Sequence, residues 1–316
     1  MNNNMIKRII TLISSRIIKA YKTKYIKDAY IELNGSSDVE YAYETITSSI
    51  CSENPFMASR FGCVEMDAVT NYRKGGHPLS FLRKYFPFWV SGVVKERMIT
   101  NAGFFPTNNR LLSKYSDLIV DVAKDIDILA SCVHGELLYT KNCKSFNLQS
   151  LEPFWSQKPW TALLKGRKVL VVHPFAESIN KQYAKRELLF DNKDILPEFA
   201  SLTVIKAVQS IGGETNGFNS WFDALQYMKD EIDKVDYEIA LIGCGAYGMP
   251  LASHCKRMGK KAIHLGGALQ LLFGIRGNRW ETEQDIYKQF MNEHWVRPLE
   301  SERPSSAINV ENACYW

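Results

Sequence analysis

The apolar positions of this chain fall into a regular rhythm after about residue 166. Short continuous apolar runs at 168–172, 202–207, 238–242 and 262–265 predict buried strands. Helical spacing separates them. The segment 176–189 is helical, and Asn219 or Ser220 caps a helix whose one face carries Trp221, Leu225, Met228 and Ile232. A further helix over 250–258 is closed by Gly259. Strands alternating with helices argue for an α/β fold with a Rossmann-like, mainly parallel, doubly wound sheet. The earlier pattern is more mixed. Val39, Tyr43, Ile46 and Ile50 predict a helix over 38–52, which Asn54-Pro55 breaks. A short strand over 56–61, a turn at Gly62 and a helix over 64–72 follow. The stretch 75–106 is aromatic and punctuated by Gly and Pro, and reads as irregular structure with short helices around a cleft. A helix and then a strand at 128–130 occupy 111–130.

These patterns divide the chain into a basic amphipathic helix at 1–33, a mixed helical part at 38–158 and a Rossmann-like half at 159–316. In the first part Ile6, Ile9, Ile10, Ile13 and Ile17 share one helical face, with Lys7, Arg8, Ser15 and Lys19 on the others. Such a helix either lies on an anionic membrane surface through residues 5–20, or packs on the domain or on a second subunit of a homo-oligomer. No apolar run reaches the ~18 residues of a transmembrane helix. The interrupted run and the lack of a small-residue cleavage site argue against a signal peptide. The expected place is the cytoplasm, including the inner face of the cell membrane.

Composition narrows the function classes. The 316 residues leave room for one large domain or two modest ones. A net charge of +5 suits an anionic ligand or a membrane surface, and it is too small and too dispersed to argue for nucleic acid. The seven cysteines are odd in number and form no CxxC pair, which points away from a disulfide framework or a zinc site and toward a reducing compartment.

The most specific local signal is Gly243-Cys244-Gly245-Ala246-Tyr247-Gly248, a G-x-G-x-x-G run after a strand and before a helix. Its glycines permit a tight turn and close backbone approach, and the free N–H groups of the next helix favour a phosphate. A dinucleotide unit ends its next strand with an acid for the ribose. Here that strand ends His264-Leu265-Gly266-Gly267, so a nicotinamide enzyme is set aside and a general nucleotide site kept. The plain alternative is that these glycines serve helix–strand packing alone. Arg60-Phe61-Gly62-Cys63-Val64-Glu65, with Asp67 beyond, places Arg60 and Glu65 at the carboxyl end of a strand. Arg60 can pair with a phosphate, and Glu65 can take a hydroxyl proton or bind a divalent cation. An Arg–Glu ion pair is the equal alternative. His173 and Glu177 follow a buried strand and are candidate ligand contacts, although a packed His is the commoner case. Asn101 sits in a turn beside Phe104 and Phe105, and His134-Gly135-Glu136 has similar standing. The tail Cys314-Tyr315-Trp316 is apolar enough to tuck into a groove. No G-x-S-x-G elbow, Walker lysine motif or H-E-x-x-H helix is present.

The R-x-G-x-x-E element paired with the G-C-G-x-x-G strand–helix–strand resembles bacterial glycosyltransferases of the GT-D fold, as found in capsule and surface-polysaccharide clusters. The matching segments are 59–65, 101–106, 169–179, 196–212, 239–280 and 294–298. The resemblance implies a catalytic domain that moves a sugar from a nucleotide-sugar donor to a glycan or lipid-linked acceptor. It implies a donor across the carboxyl edge of the sheet; the expected donor contacts are Gly62, Asn101, His173, Glu177, Gly243, Gly245, Tyr247, Gly248, His264, Gly266 and Gly267, with Arg60 and Glu65 catalytic. Family members carry Asp-x-Glu for a diphosphate held by manganese or magnesium. Here Cys63 stands at the Asp position, which leaves Glu65 and Asp67 as the metal candidates. Two other classes stay open: a non-catalytic nucleotide- or glycan-binding subunit, and a methyltransferase using the glycine run for S-adenosylmethionine.

Overall fold

Seven parallel strands build one sheet in the computed structural model, which describes residues 39–72, 89–133, 135–310 and 313–316. The expected N-terminal helix at 1–33, the first part of the 75–106 stretch and His134 lie outside the described residues. In chain order the elements are α1 (Val39–Cys51), β1 (Met57–Ser59), α2 (Cys63–Tyr72), α3 (Trp89–Thr100), α4 (Asn109–Val122), β2 (Ile128–Ser131) and β3 (Lys144–Asn147). There follow β4 (Lys168–His173), α5 (Ala176–Tyr183), β5 (Ser201–Lys206), α6 (Trp221–Asp233), β6 (Ile239–Ile242), α7 (Gly248–Arg257) and β7 (Lys261–His264). The strand order is β3-β2-β1-β7-β6-β4-β5.

The central strands read as unbroken apolar runs because both of their faces are covered. Side chains alternate across the sheet, so each run feeds two cores. Leu170, Val172, Ala240, Ile242 and Ala262 join one core, beneath α2, α4, α6 and α7. Val169, Val171, Ile239, Leu241 and Ile263 join the other, beneath α1, α5 and the C-terminal segment. This is the doubly wound α/β architecture, with every strand parallel rather than most of them.

The sheet is continuous through β1, which pairs with β2 on one side and β7 on the other. Strands from before and after residue 159 are thus hydrogen-bonded neighbours. The stretch between them is packed: Trp160 is 1% exposed and its Nε1 donates to the Leu151 carbonyl at 3.0 Å. Two elements differ from the sequence expectation. Trp89–Thr100 is one regular helix rather than a set of short pieces. The edge strand β3 was not anticipated, because Phe146 is its one buried residue and the other three are polar. In addition, the expected helix over 176–189 stops at Tyr183, and a separate 3-10 turn covers Arg186–Leu188.

No helix among the described residues is long and apolar enough to cross a membrane. All seven cysteines are free thiols.

Candidate functional site

Parallel strands send all their carboxyl ends to one edge, and ligands of open α/β sheets gather there, where neighbouring crossovers diverge. Two such divergences exist here. β1 leads outward to β2 while its other neighbour is β7, and β4 leads outward to β5 while its other neighbour is β6. The residues at these ends are Arg60 after β1, His264 and Gly266 after β7, Gly243 to Gly248 after β6, and His173 ending β4.

Arg60 extends over the turn that follows β7. A Cβ added at Gly266, whose φ is +63°, would lie 3.2 Å from Arg60 Nη1 and 3.4 Å from its Cδ. Gly266 therefore has two reasons to be glycine: a left-handed backbone and the close passage of the guanidinium. Arg60 Nε donates to the Phe61 carbonyl at 3.2 Å, and the guanidinium enters no ion pair among the described residues. Burial opposes its charge, yet its pKa is raised and it stays a cation, helped by the nearby Glu65. The fork that best matches a phosphate is thus left unspent.

Glu65 lies in the first turn of α2, with its carboxyl group folded over Gly62, where any side chain would overlap it. Burial raises its pKa, and Arg60 and Arg97 pull in the opposite direction. The expected alternative, a direct Arg60–Glu65 ion pair, does not form, although the two charges lie close enough to interact. Asp67 is committed elsewhere, in an ion pair with Arg97. Among the described residues no three His, Cys, Asp or Glu side chains gather as a metal site. A hard divalent cation seeks several oxygen ligands. With a thiol at Cys63 and Asp67 paired to Arg97, the donors beside Glu65 among the described residues do not fit manganese or magnesium.

The glycine run divides by role. A Cβ at Gly243 would meet the Gly266 carbonyl at 2.7 Å, Leu269 Cβ at 2.8 Å and His173 Cδ2 at 2.9 Å. A Cβ at Gly248 would overlap the His264 ring. Both are packing glycines. Gly245 is different: its φ is +56° and its Cβ position faces open space. The two histidines flank β6. His173 Nδ1 accepts the Phe175 N–H at 3.0 Å, and His264 Nδ1 lies 3.1 Å from Ser59 Oγ. Burial pushes both pKa values down to about 3, so both rings are neutral near pH 7. The His173 proton then resides on Nε2, for which no protein acceptor exists among the described residues.

Not every expected residue reaches this edge. Tyr247 is 2% exposed, stacked on Trp221 at 4.7 Å, with its hydroxyl 2.8 Å from Ser210 Oγ. It packs the core beneath the glycine turn. Glu177 points into solvent and pairs with Lys181 at 2.7 Å. Asn101 follows α3, and its Oδ1 accepts the Thr100 hydroxyl at 2.6 Å. Gly267 does reach the edge, and the Tyr315 ring covers it, with Cε1 at 2.7 Å from the Cβ position.

Tyr315 and Arg279 also reach this edge, without a motif in the sequence that marks them. Arg279 stacks over the Tyr315 ring at 4.7 Å and donates from Nη1 to its hydroxyl at 3.2 Å. The sequence signal was the apolar tail, which is indeed seated: Cys314 and Trp316 are buried. The loop after β2 also joins the site. Glu136 is fully buried and accepts the N–H groups of Cys132 at 3.0 Å and Val133 at 3.3 Å, together with the Ser131 hydroxyl. This carboxylate holds the loop so that Cys132 Sγ faces the Phe61 carbonyl at 3.5 Å, beside Arg60. Burial pushes the Cys132 thiol up to about 11, so it is protonated near neutral pH.

No family model matches the chain, and no curated protein matches it. Among solved structures, the selenomethionine-substituted structure of domain of unknown function 1792 is similar at a TM-score of 0.32 and 12% identity, over 79% of this chain and 86% of that chain. A likeness that loose carries no functional assignment, so the residues at the sheet edge must supply it.

Proposed function

We propose that this protein is a nucleotide-sugar-dependent glycosyltransferase whose donor lies across the carboxyl edge of β1, β7 and β6, and whose acceptor is a glycan or a lipid-linked glycan. The observation that carries this reading is the Arg60 guanidinium. It is charged, free of any carboxylate partner among the described residues, and set over the left-handed Gly266 turn. A diphosphate needs such a cation and such close backbone.

In the proposed reaction the acceptor hydroxyl oxygen attacks the anomeric carbon of the donor sugar. The bond from that carbon to the diphosphate oxygen breaks, and its electron pair stays on the diphosphate. Arg60 stabilises the charge that grows there. Glu65 takes the hydroxyl proton. Its raised pKa makes it a stronger base than a solvated carboxylate, and it lies close enough to Arg60 for the two charges to interact. No step is assigned to a metal, because the side chains at hand do not fit one.

Calorimetric titration with UDP, GDP and ADP, followed by donor hydrolysis over a panel of nucleotide-sugars, tests the reading. Arg60→Ala is expected to weaken nucleoside diphosphate binding by roughly ten- to a hundredfold. Glu65→Gln is expected to keep that binding and slow turnover by about 10²–10⁴-fold. Failure of the intact chain to bind any nucleoside diphosphate, or full turnover by Glu65→Gln, overturns it. Binding without turnover in the intact chain would instead indicate the non-catalytic subunit.

A further inference from the structure

Two open cavities lie away from Arg60. One, of about 380 Å³, opens at the amino end of the sheet, where its charged lining is largely tied up in ion pairs such as Lys168–Asp236 and Arg167–Glu238. The other, of about 430 Å³, opens at the carboxyl end of β5. It belongs to the same sheet edge as the candidate donor site, two strands beyond β6. Lys206 ends β5 in register with His173, and the Ala207 N–H donates to the His173 carbonyl at 3.1 Å. No residue assigned above to the donor lines this cavity.

Its walls are chemically specific. Lys206 and Arg303 are both exposed, and neither enters an ion pair or side-chain hydrogen bond among the described residues. Two carboxylates also line the cavity. Glu302 is buried and faces away, into the first turn of α5, where it accepts the N–H groups of Glu177 at 2.7 Å and Ser178 at 3.3 Å and the Ser178 hydroxyl. That helix end offsets its charge. Glu214 stays at the rim and accepts the Ser305 hydroxyl at 3.1 Å. The unspent groups are therefore two cations and a rim carboxylate with free acceptor capacity; beside them the Tyr227 ring, tilted against Phe218 at 5.4 Å, stays 44% exposed.

We propose that this cavity binds an anionic sugar, a hexose unit carrying a phosphate or carboxylate. The volume is in the range of small-ligand sites, about 300–1,000 Å³. Lys206 and Arg303 meet the anion, Glu214 accepts from sugar hydroxyls, and Tyr227 offers an apolar face to the ring carbons. Two cations are too few for a nucleic acid strand, and the polar walls exclude an apolar ligand. The proposal is independent of the transferase reading, since it concerns binding at a separate place. If both hold, this is the acceptor side, and the acceptor glycan carries acidic units.

Saturation-transfer NMR and calorimetry on the full chain, with glucose 6-phosphate, glucuronate, glucose and inorganic phosphate as probes, test it. Glucose 6-phosphate or glucuronate is expected to bind at least about tenfold more tightly than glucose or phosphate, and the Lys206→Ala/Arg303→Ala double variant to lose that advantage. Both positions are exposed, so the fold is expected to survive, which an unchanged melting temperature checks. Arg60→Ala is expected to leave anionic-sugar binding intact while weakening UDP, which separates this site from the donor site. Three outcomes overturn the proposal: no binding of either anionic sugar, equal binding by the double variant, or inorganic phosphate binding as tightly as the sugars.

Discussion

Gly248 shows how one missing side chain carries two readings in the sequence alone. It is the last glycine of a G-x-G-x-x-G run, and the run suggests close approach to a phosphate. In the fold its missing Cβ makes room for the His264 ring, whose Nδ1 faces Ser59 Oγ at 3.1 Å. Alanine at a helical glycine ordinarily stabilises by about 1 kcal/mol. Here the His264 ring would have to leave its position, and Gly248→Ala is expected instead to destabilise by ~1–3 kcal/mol, the cost of overpacking. Urea unfolding checks this; a gain in stability would show that the ring moves freely. The same residue scale explains why Tyr247 and Glu177 were legible as polar or aromatic residues after strands but not as to where they point. Tyr247 turns under the glycine turn onto Trp221, and Glu177 turns outward to Lys181. Strand ends give position; the rotamer is set by neighbours that the local sequence does not name.

Elements with a strong period and a defined cap were the most legible. α6 begins at Trp221, after Ser220, whose Oγ accepts the Asp223 N–H at 3.3 Å while donating to its carboxylate at 2.9 Å. Trp221, Leu225, Met228 and Ile232 are all buried, as their spacing predicts. Removing the cap with Ser220→Ala is expected to cost ~1 kcal/mol and lower the melting temperature without changing nucleotide binding. A calorimetric scan beside a UDP titration checks both halves. Edge elements were less legible. β3 buries Phe146 alone, so its polar residues carry no strand signal, and its pairing with β2 comes from the sheet rather than from its own composition.

At the scale of the whole molecule, buried ionisable groups make stability depend on pH in two opposing ways. His173 and His264 are held neutral, with pKa values lowered from 6.5 to about 3 by burial. Unfolded, each would take up a proton below pH 6.5, so their contribution is complete above that pH and is lost as pH falls toward 3. Glu152 behaves oppositely. Burial raises its pKa from 4.5 to about 7, even though the Tyr287 hydroxyl at 2.7 Å and Trp155 Nε1 at 2.9 Å donate to it. The folded chain then holds a proton that the unfolded chain releases, so this contribution is present below pH 4.5 and is lost as pH rises through 7. Urea unfolding from pH 4.5 to 8 is expected to show Glu152→Gln gaining on the parent chain as pH rises, by up to a few kcal/mol. A difference between the two that does not vary with pH would contradict the assignment.

The sequence by itself determined the α/β class, the central strands and the helices between them. Those depend on short-range periodicity and on apolar runs that need burial on both faces. It also placed Arg60, Glu65, His173, Gly243 and His264 at the ends of strands. Only the tertiary structure decided which ends meet. Ser59 and His264 are 205 residues apart in the chain, yet hydrogen-bonding of β1 to β7 sets them side by side and brings Arg60 over Gly266. The order of parallel strands follows from how all the helices cover both faces at once, and that packing has no local signature. For the same reason the cavity beside Lys206 and Arg303, walled by segments about a hundred residues apart, is a property of the fold alone.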